Sequence, residues 1–165
     1  MSIVRLPAGT PPSGDAIAQA ATIALTAPGF ERRPGYCQRW VRQVVEALYG
    51  DEFDQYWRGT AYETMRAFRD SVYFLPAQNS ADVWTPLQRG DLVYKGRITS
   101  GRAGHVGIPI LGNRFAENSS CHWSEADPDA RGTRSIAAWG PYEGIVRLSL
   151  GAIHTGEGAS HGAAK

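Results

Sequence analysis

A change of periodicity near Pro76 constrains this chain more than any other feature. Before it, apolar residues recur at the three- and four-residue spacing of amphipathic helices; after it come short, partly alternating runs separated by Gly, Pro, Asn and Asp. Helices first and strands afterwards is the pattern of an α+β domain, with N-terminal helices packed on a small antiparallel sheet. The chain has 165 residues, enough for one well-stocked core and too few for two, so residues 1–150 read as a single domain. The 19 glycines and 10 prolines exceed their combined average usage of about 12% and argue against a purely helical bundle. With 17 Lys and Arg against 16 Asp and Glu, the net charge of +1 provides no strong field for nucleic acid.

The helical half divides at its turns. Asp15 to Leu25 predicts a short helix, with Ser13 or Asp15 as its cap and Pro28-Gly29 as its stop. After Pro34-Gly35, the residues Tyr36, Cys37, Trp40, Val41, Val44, Val45 and Leu48 share one helix face, with Cys37 in the first turn. A further helical region runs from Asp51 to about Phe74, interrupted near Gly59 and restarted by a Thr60/Glu63 capping box. In the second half, strands are expected at Asp91–Lys95, His105–Leu111, Arg114–Asn118, Arg134–Trp139 and Gly144–Leu150. The Gly- and Ala-rich segment 151–165 reads as a flexible tail, so His154 and His161 are discounted. The N-terminus reads as lacking a signal peptide, and no stretch approaches the roughly 20 apolar residues that span a bilayer.

Two cysteines, Cys37 and Cys121, are too few for a disulfide framework and lack zinc-clamp spacing. Neither a metal nor a cofactor is implied. A thiol in the first turn of a helix lies beside unsatisfied N–H groups and the positive end of the helix dipole, which favour the thiolate. A cysteine on an apolar helix face is, by itself, more often a small core residue. A lone histidine at a strand start, such as His105, is likewise more often a polar edge residue. The two gain weight together, through Gly90-Asp91-Leu92-Val93-Tyr94 and Gly104-His105-Val106-Gly107-Ile108.

That combination resembles the NlpC/P60 and CHAP families of papain-like cysteine peptidases and amidases, which carry a helix-initial Cys, a GDL-type strand and a GHVGI-type strand. The resemblance covers roughly Pro34 to Ser120. At the nucleophile the chain reads Gly35-Tyr36-Cys37-Gln38-Arg39-Trp40, departing from the Asp-Cys-Ser-Gly of NlpC/P60 proteins towards the Gly-x-Cys-x-x-aromatic form of CHAP domains. The resemblance implies a papain-like fold, Cys37 as nucleophile, His105 as general base, and peptidoglycan peptide stems or cross-bridges as substrate. It also implies a setting in a phage lysin, a tail-associated hydrolase or an exported effector, acting on the wall after lysis, injection or specialised export. A non-catalytic binding module, or an acyltransferase or deamidase using the same Cys-His pair, remains the alternative.

The third polar group of such a triad is open between Asn118 and Glu117. A two-residue Gly112-Asn113 loop puts Asn118 on the face of His105, and the apolar pattern around Phe115 leans that way; a three-residue loop reverses the answer to Glu117. Tyr36 is a candidate for binding substrate or oxyanion, against the reading of a staple onto the helix, and the backbone N–H of Cys37 is the stronger oxyanion donor. Trp84 and Trp139 are candidates for a substrate groove, against the reading of core. Cys121 reads as an ordinary thiol, and Asp91 as the residue that stabilises the turn before its strand.

Overall fold

The computed structural model describes residues 1–80, 83–96, 103–139 and 141–151, excluding the side chains of 78–80, 83 and 84. Helix α1 spans Gly14–Ala24, and of its two candidate caps Ser13 is the one used, its hydroxyl accepting the Ala16 N–H at 3.4 Å. Helix α2 spans Cys37–Tyr49 and buries Cys37, Trp40, Val41, Val44, Val45 and Leu48, the face that periodicity marks out. Helix α3 spans Ala61–Phe68. The Thr60 hydroxyl accepts the Glu63 N–H at 3.2 Å and donates to the Glu63 carboxylate at 3.0 Å.

The helical region expected from Asp51 to Phe74 is shorter than its pattern. Residues 51–56 form turns, and α3 stops at Phe68. An aromatic cluster explains the periodic signal: Phe53, Tyr56, Phe68 and Tyr73 pack edge to face, with Tyr56 stacked on Phe68 at 4.2 Å. Phe74 belongs instead to strand β1 (Phe74–Pro76), claimed by the sheet edge.

Further strands are β2 (Gln78–Ser80), β3 (Val83–Trp84), β4 (Leu92–Lys95), β5 (His105–Ile110), β6 (Arg114–Asn118), β7 (Arg131–Ser135) and β8 (Gly144–Val146). Strands β2 and β3 pair with each other; the other six form one antiparallel sheet in the order β1-β8-β4-β5-β6-β7. The chain is therefore α+β, with four helices among the described residues, the last being the short α4 (Ile136–Trp139). Two expected strands are cut short. Arg134–Trp139 divides at Ser135, whose hydroxyl caps α4 by accepting the Ala138 N–H at 3.2 Å, and beyond Val146 the chain turns into a 3-10 helix at Leu148–Leu150.

Both faces of the sheet are covered. Leu92, Tyr94, Val106, Ile108 and Ala116 pack with the helices in the main core, while Val93, Phe115 and Trp139 form a second cluster. Phe115 stacks on Trp139 at 4.3 Å, and Gly107 makes room for the indole: a Cβ there would stand 3.1 Å from its Cζ2. This corrects the hairpin register. Ile110 pairs with Arg114 and Gly107 with Glu117, so the loop is Leu111-Gly112-Asn113, with Gly112 and Asn113 at φ +75° and +54°. The expected two-residue loop keeps Phe115 on the side of Val106 and Ile108; the second core gives Phe115 a buried place on the other side.

Among the described residues no helix is long and apolar enough to cross a membrane. The expected tail, with His154 and His161, lies outside the described residues except for Gly151. Truncating Phe115 to Ala is expected to cost about 3–5 kcal/mol, whereas Leu111→Ala in the exposed loop is expected to stay within about 0.5 kcal/mol. Urea unfolding of the two variants measures the difference.

Candidate active site

Gly35, at φ +86°, turns the chain into α2 and sets Cys37 as its first residue. A β-carbon is disfavoured in that left-handed conformation. Tyr36 occupies the cap position without a side-chain cap bond, so the first-turn N–H groups and the dipole's positive end are presented beside the Cys37 thiol. Cys37 is 8% exposed and lines a cleft of about 410 Å³, with Tyr36, Gln38, Lys95, His105 and Arg134 also on its walls.

His105 opens β5, and its Nε2 lies 2.6 Å from Glu117 Oε2. That contact occupies Nε2 and leaves Nδ1 as the ring nitrogen open to the Cys37 thiol, which acts on the imidazole together with Glu117. Burial works against a charged imidazole here, but Cys37 and Glu117 outweigh it and raise the His105 pKa to about 9. Because this value stands above the unfolded value near 6.5, the stabilisation it represents is complete below about that pH and fades as pH rises through about 9.

Glu117 is wholly buried. Its carboxylate accepts the Arg134 fork at 2.8 and 2.9 Å and the Trp139 indole N–H at 2.6 Å, and His122 Nε2 lies 3.0 Å away. Burial would raise its pKa, yet the hydrogen bonds from His105 and Arg134 hold it well below the usual carboxylate range. The result is a fixed anion behind the imidazole, which orients the ring and favours its protonated form.

The three-residue loop decides which candidate meets His105. Glu117 does, while Asn118 points to the helical side, where its amide donates to the Glu31 carbonyl at 3.0 Å. Asn118 thereby ties the end of β6 to the segment leading into α2. Tyr36 is 43% exposed on the cleft wall, with the Arg33 guanidinium 4.4 Å over its ring. Trp84 belongs to β3 by its backbone, and its side chain lies outside the described residues. Trp139 fills the second core and also serves Glu117. Asp91 holds its turn, accepting the Gln88 N–H at 2.7 Å and both arms of Arg147.

Sequence reasoning missed Arg134 and Lys95. Arg134 reaches Glu117 only because β7 lies beside β6, and no local pattern announces that pairing. Glu117, Cys121 and His122 bring potential metal ligands within 4.8 Å of one another. Both Glu117 oxygens already hold the Arg134 guanidinium, so a cation would have to displace it, and the Cys121 sulfur stands 3.9 Å from the nearer oxygen. No protein-family model matches the chain, and no curated protein or solved structure matches it either.

Replacing Cys37 with Ala removes one of the groups that hold the His105 proton, so the imidazole pKa is expected to fall from about 9 towards neutrality. Glu117→Gln shifts it the same way. NMR titration of the histidine ring measures both; a pKa unmoved by Cys37→Ala would show that the thiol does not act on His105.

Proposed function

We propose that this protein is a papain-like cysteine hydrolase that cleaves amide bonds by acyl transfer. One observation carries the reading: a partly buried imidazole shares a cleft with a helix-initial thiol on one side and is held by an ionised carboxylate on the other. In the proposed cycle, His105 holds the Cys37 proton and the thiolate attacks the amide carbonyl. The first-turn N–H groups of α2, that of Cys37 foremost, stabilise the oxyanion. The imidazolium then protonates the leaving amine, and His105 activates the water that releases the acyl group. Glu117 keeps the ring in one orientation throughout and stays ionised.

The substrate follows from the resemblance of the Gly90–Tyr94 and Gly104–Ile108 segments to NlpC/P60 and CHAP proteins: peptide stems or cross-bridges of peptidoglycan, reached after lysis, injection or dedicated export within a larger phage or secretion assembly. That likeness is an argument by analogy; the cleft chemistry supports amide hydrolysis independently of it.

Incubation with purified peptidoglycan tests the proposal. The unaltered protein is expected to release new amino groups, Cys37→Ala none, and Glu117→Gln at least about a hundredfold less per unit time. Equal activity in Cys37→Ala would overturn the reading. Because the reactive form needs a protonated His105, kcat/KM is expected to decline as pH rises past about 9.

A further inference from the structure

The charges around the cleft do not balance. In the reactive state the Cys37 thiolate is matched by the His105 imidazolium, and Glu117 is matched by the two-pronged Arg134. Lys95 is left over. It ends β4 directly across the ladder from His105, is 9% exposed, and lines the cleft. Its ammonium rests 4.5 Å from the centre of the Trp139 ring, and no carboxylate among the described residues forms an ion pair with it. Burial pulls its pKa below the ordinary lysine value, and Arg134 adds to that; Glu117 and Cys121 pull the other way.

Most of the Lys95 side chain is buried while its ammonium opens on the cleft, and an ammonium partly withdrawn from water without a paired carboxylate is costly to keep. An incoming anion is the partner that would relieve that cost. The rest of the cleft agrees in sign. Arg39, also on its wall, shares the single carboxylate of Glu31 with Arg33, and no Asp or Glu is among the described lining residues.

We infer that the Cys37 cleft selects acidic peptides, with Lys95 receiving a substrate carboxylate a few atoms from the scissile carbonyl. The inference rests on the nucleophile assigned above and adds the class of substrate. The carboxylate is either an acidic side chain or a free chain end, and lysine recognises the shared chemistry of both as a point charge.

Three chloroacetyl reagents of one skeleton test it: chloroacetyl-glutamic acid α-amide, chloroacetyl-glutamine with a free α-carboxylate, and neutral chloroacetyl-glutamine amide. In each, the Cys37 sulfur forms a carbon–sulfur bond and chloride leaves, so no turnover is required. Rates on the full chain near neutral pH are divided by those on free cysteine. At least one acidic reagent is expected to react about tenfold faster than the neutral one, a preference of the size one charge-assisted contact gives. Which acid is preferred tells side chain from chain end. Lys95→Gln is expected to bring the ratio close to one and Lys95→Arg to keep most of it. Equal rates for all three on the unaltered protein, or a ratio that survives Lys95→Gln, would overturn the inference while leaving Cys37 a nucleophile. If none of the reagents modifies Cys37 faster than free cysteine, the nucleophile assignment itself falls, and the inference with it.

Discussion

The Glu117 carboxylate is the contact on which the site depends. A wholly buried anion is tolerated only if its oxygens are filled by donors, and here the donors come from separate parts of the chain: His105 from β5, Arg134 from β7, and Trp139 from α4. Each of those elements is thereby drawn to one point on one face of the sheet. The arrangement also explains why Gly107 carries no side chain, since the indole that serves Glu117 occupies the space above it. Charge, packing and ring orientation are the same problem at this position, and altering one donor disturbs all three.

A second set of contacts steadies the loop that delivers the thiol. Asn118 holds the Glu31 carbonyl, Ala130 donates its N–H to Arg32, and Arg131 reaches the carbonyls of Ala24 and Ala27 at the end of α1. The Glu31 carboxylate, its pKa lowered to about 2 mainly by the Arg33 hydrogen bond against the opposing effect of burial, fastens the same loop from within. The segment before α2 is thus stitched to the far end of the sheet, which limits where Gly35 and Cys37 can stand.

The parts of this fold that local chemistry dictates were legible in the sequence. The apolar stripe of α2 and the Thr60/Glu63 box are read from neighbours a few residues apart, and the structure carries them as expected. The segment around Phe53 and Tyr73 misled because aromatic packing and helical periodicity put apolar residues at similar spacings. The β5–β6 register misled for a different reason: with a core on each face, every β6 residue after Arg114 is buried, so alternation cannot say which side is in. Cys37 and His105 were found by type and position and share the cleft, while Glu117 stayed one of two until loop length decided. Arg134 and Lys95 were out of reach, because their meaning depends on which strands lie side by side.

The thiol and the imidazole belong to different layers. Cys37 is packed into the helical core, with Trp40 and Val41 behind it, whereas His105 is fastened to the group of side chains beneath the sheet. Their separation is therefore set by how the helical layer seats on the strands, as the gap between two jaws is set by their hinge. Close-packed interiors transmit small displacements, and reacting groups are sensitive to shifts of about 1 Å. In the proposed reaction, residues that only wedge α2 against β5 and β6 thus act as the alignment of the instrument: they carry no charge to it, yet they determine whether its two halves meet.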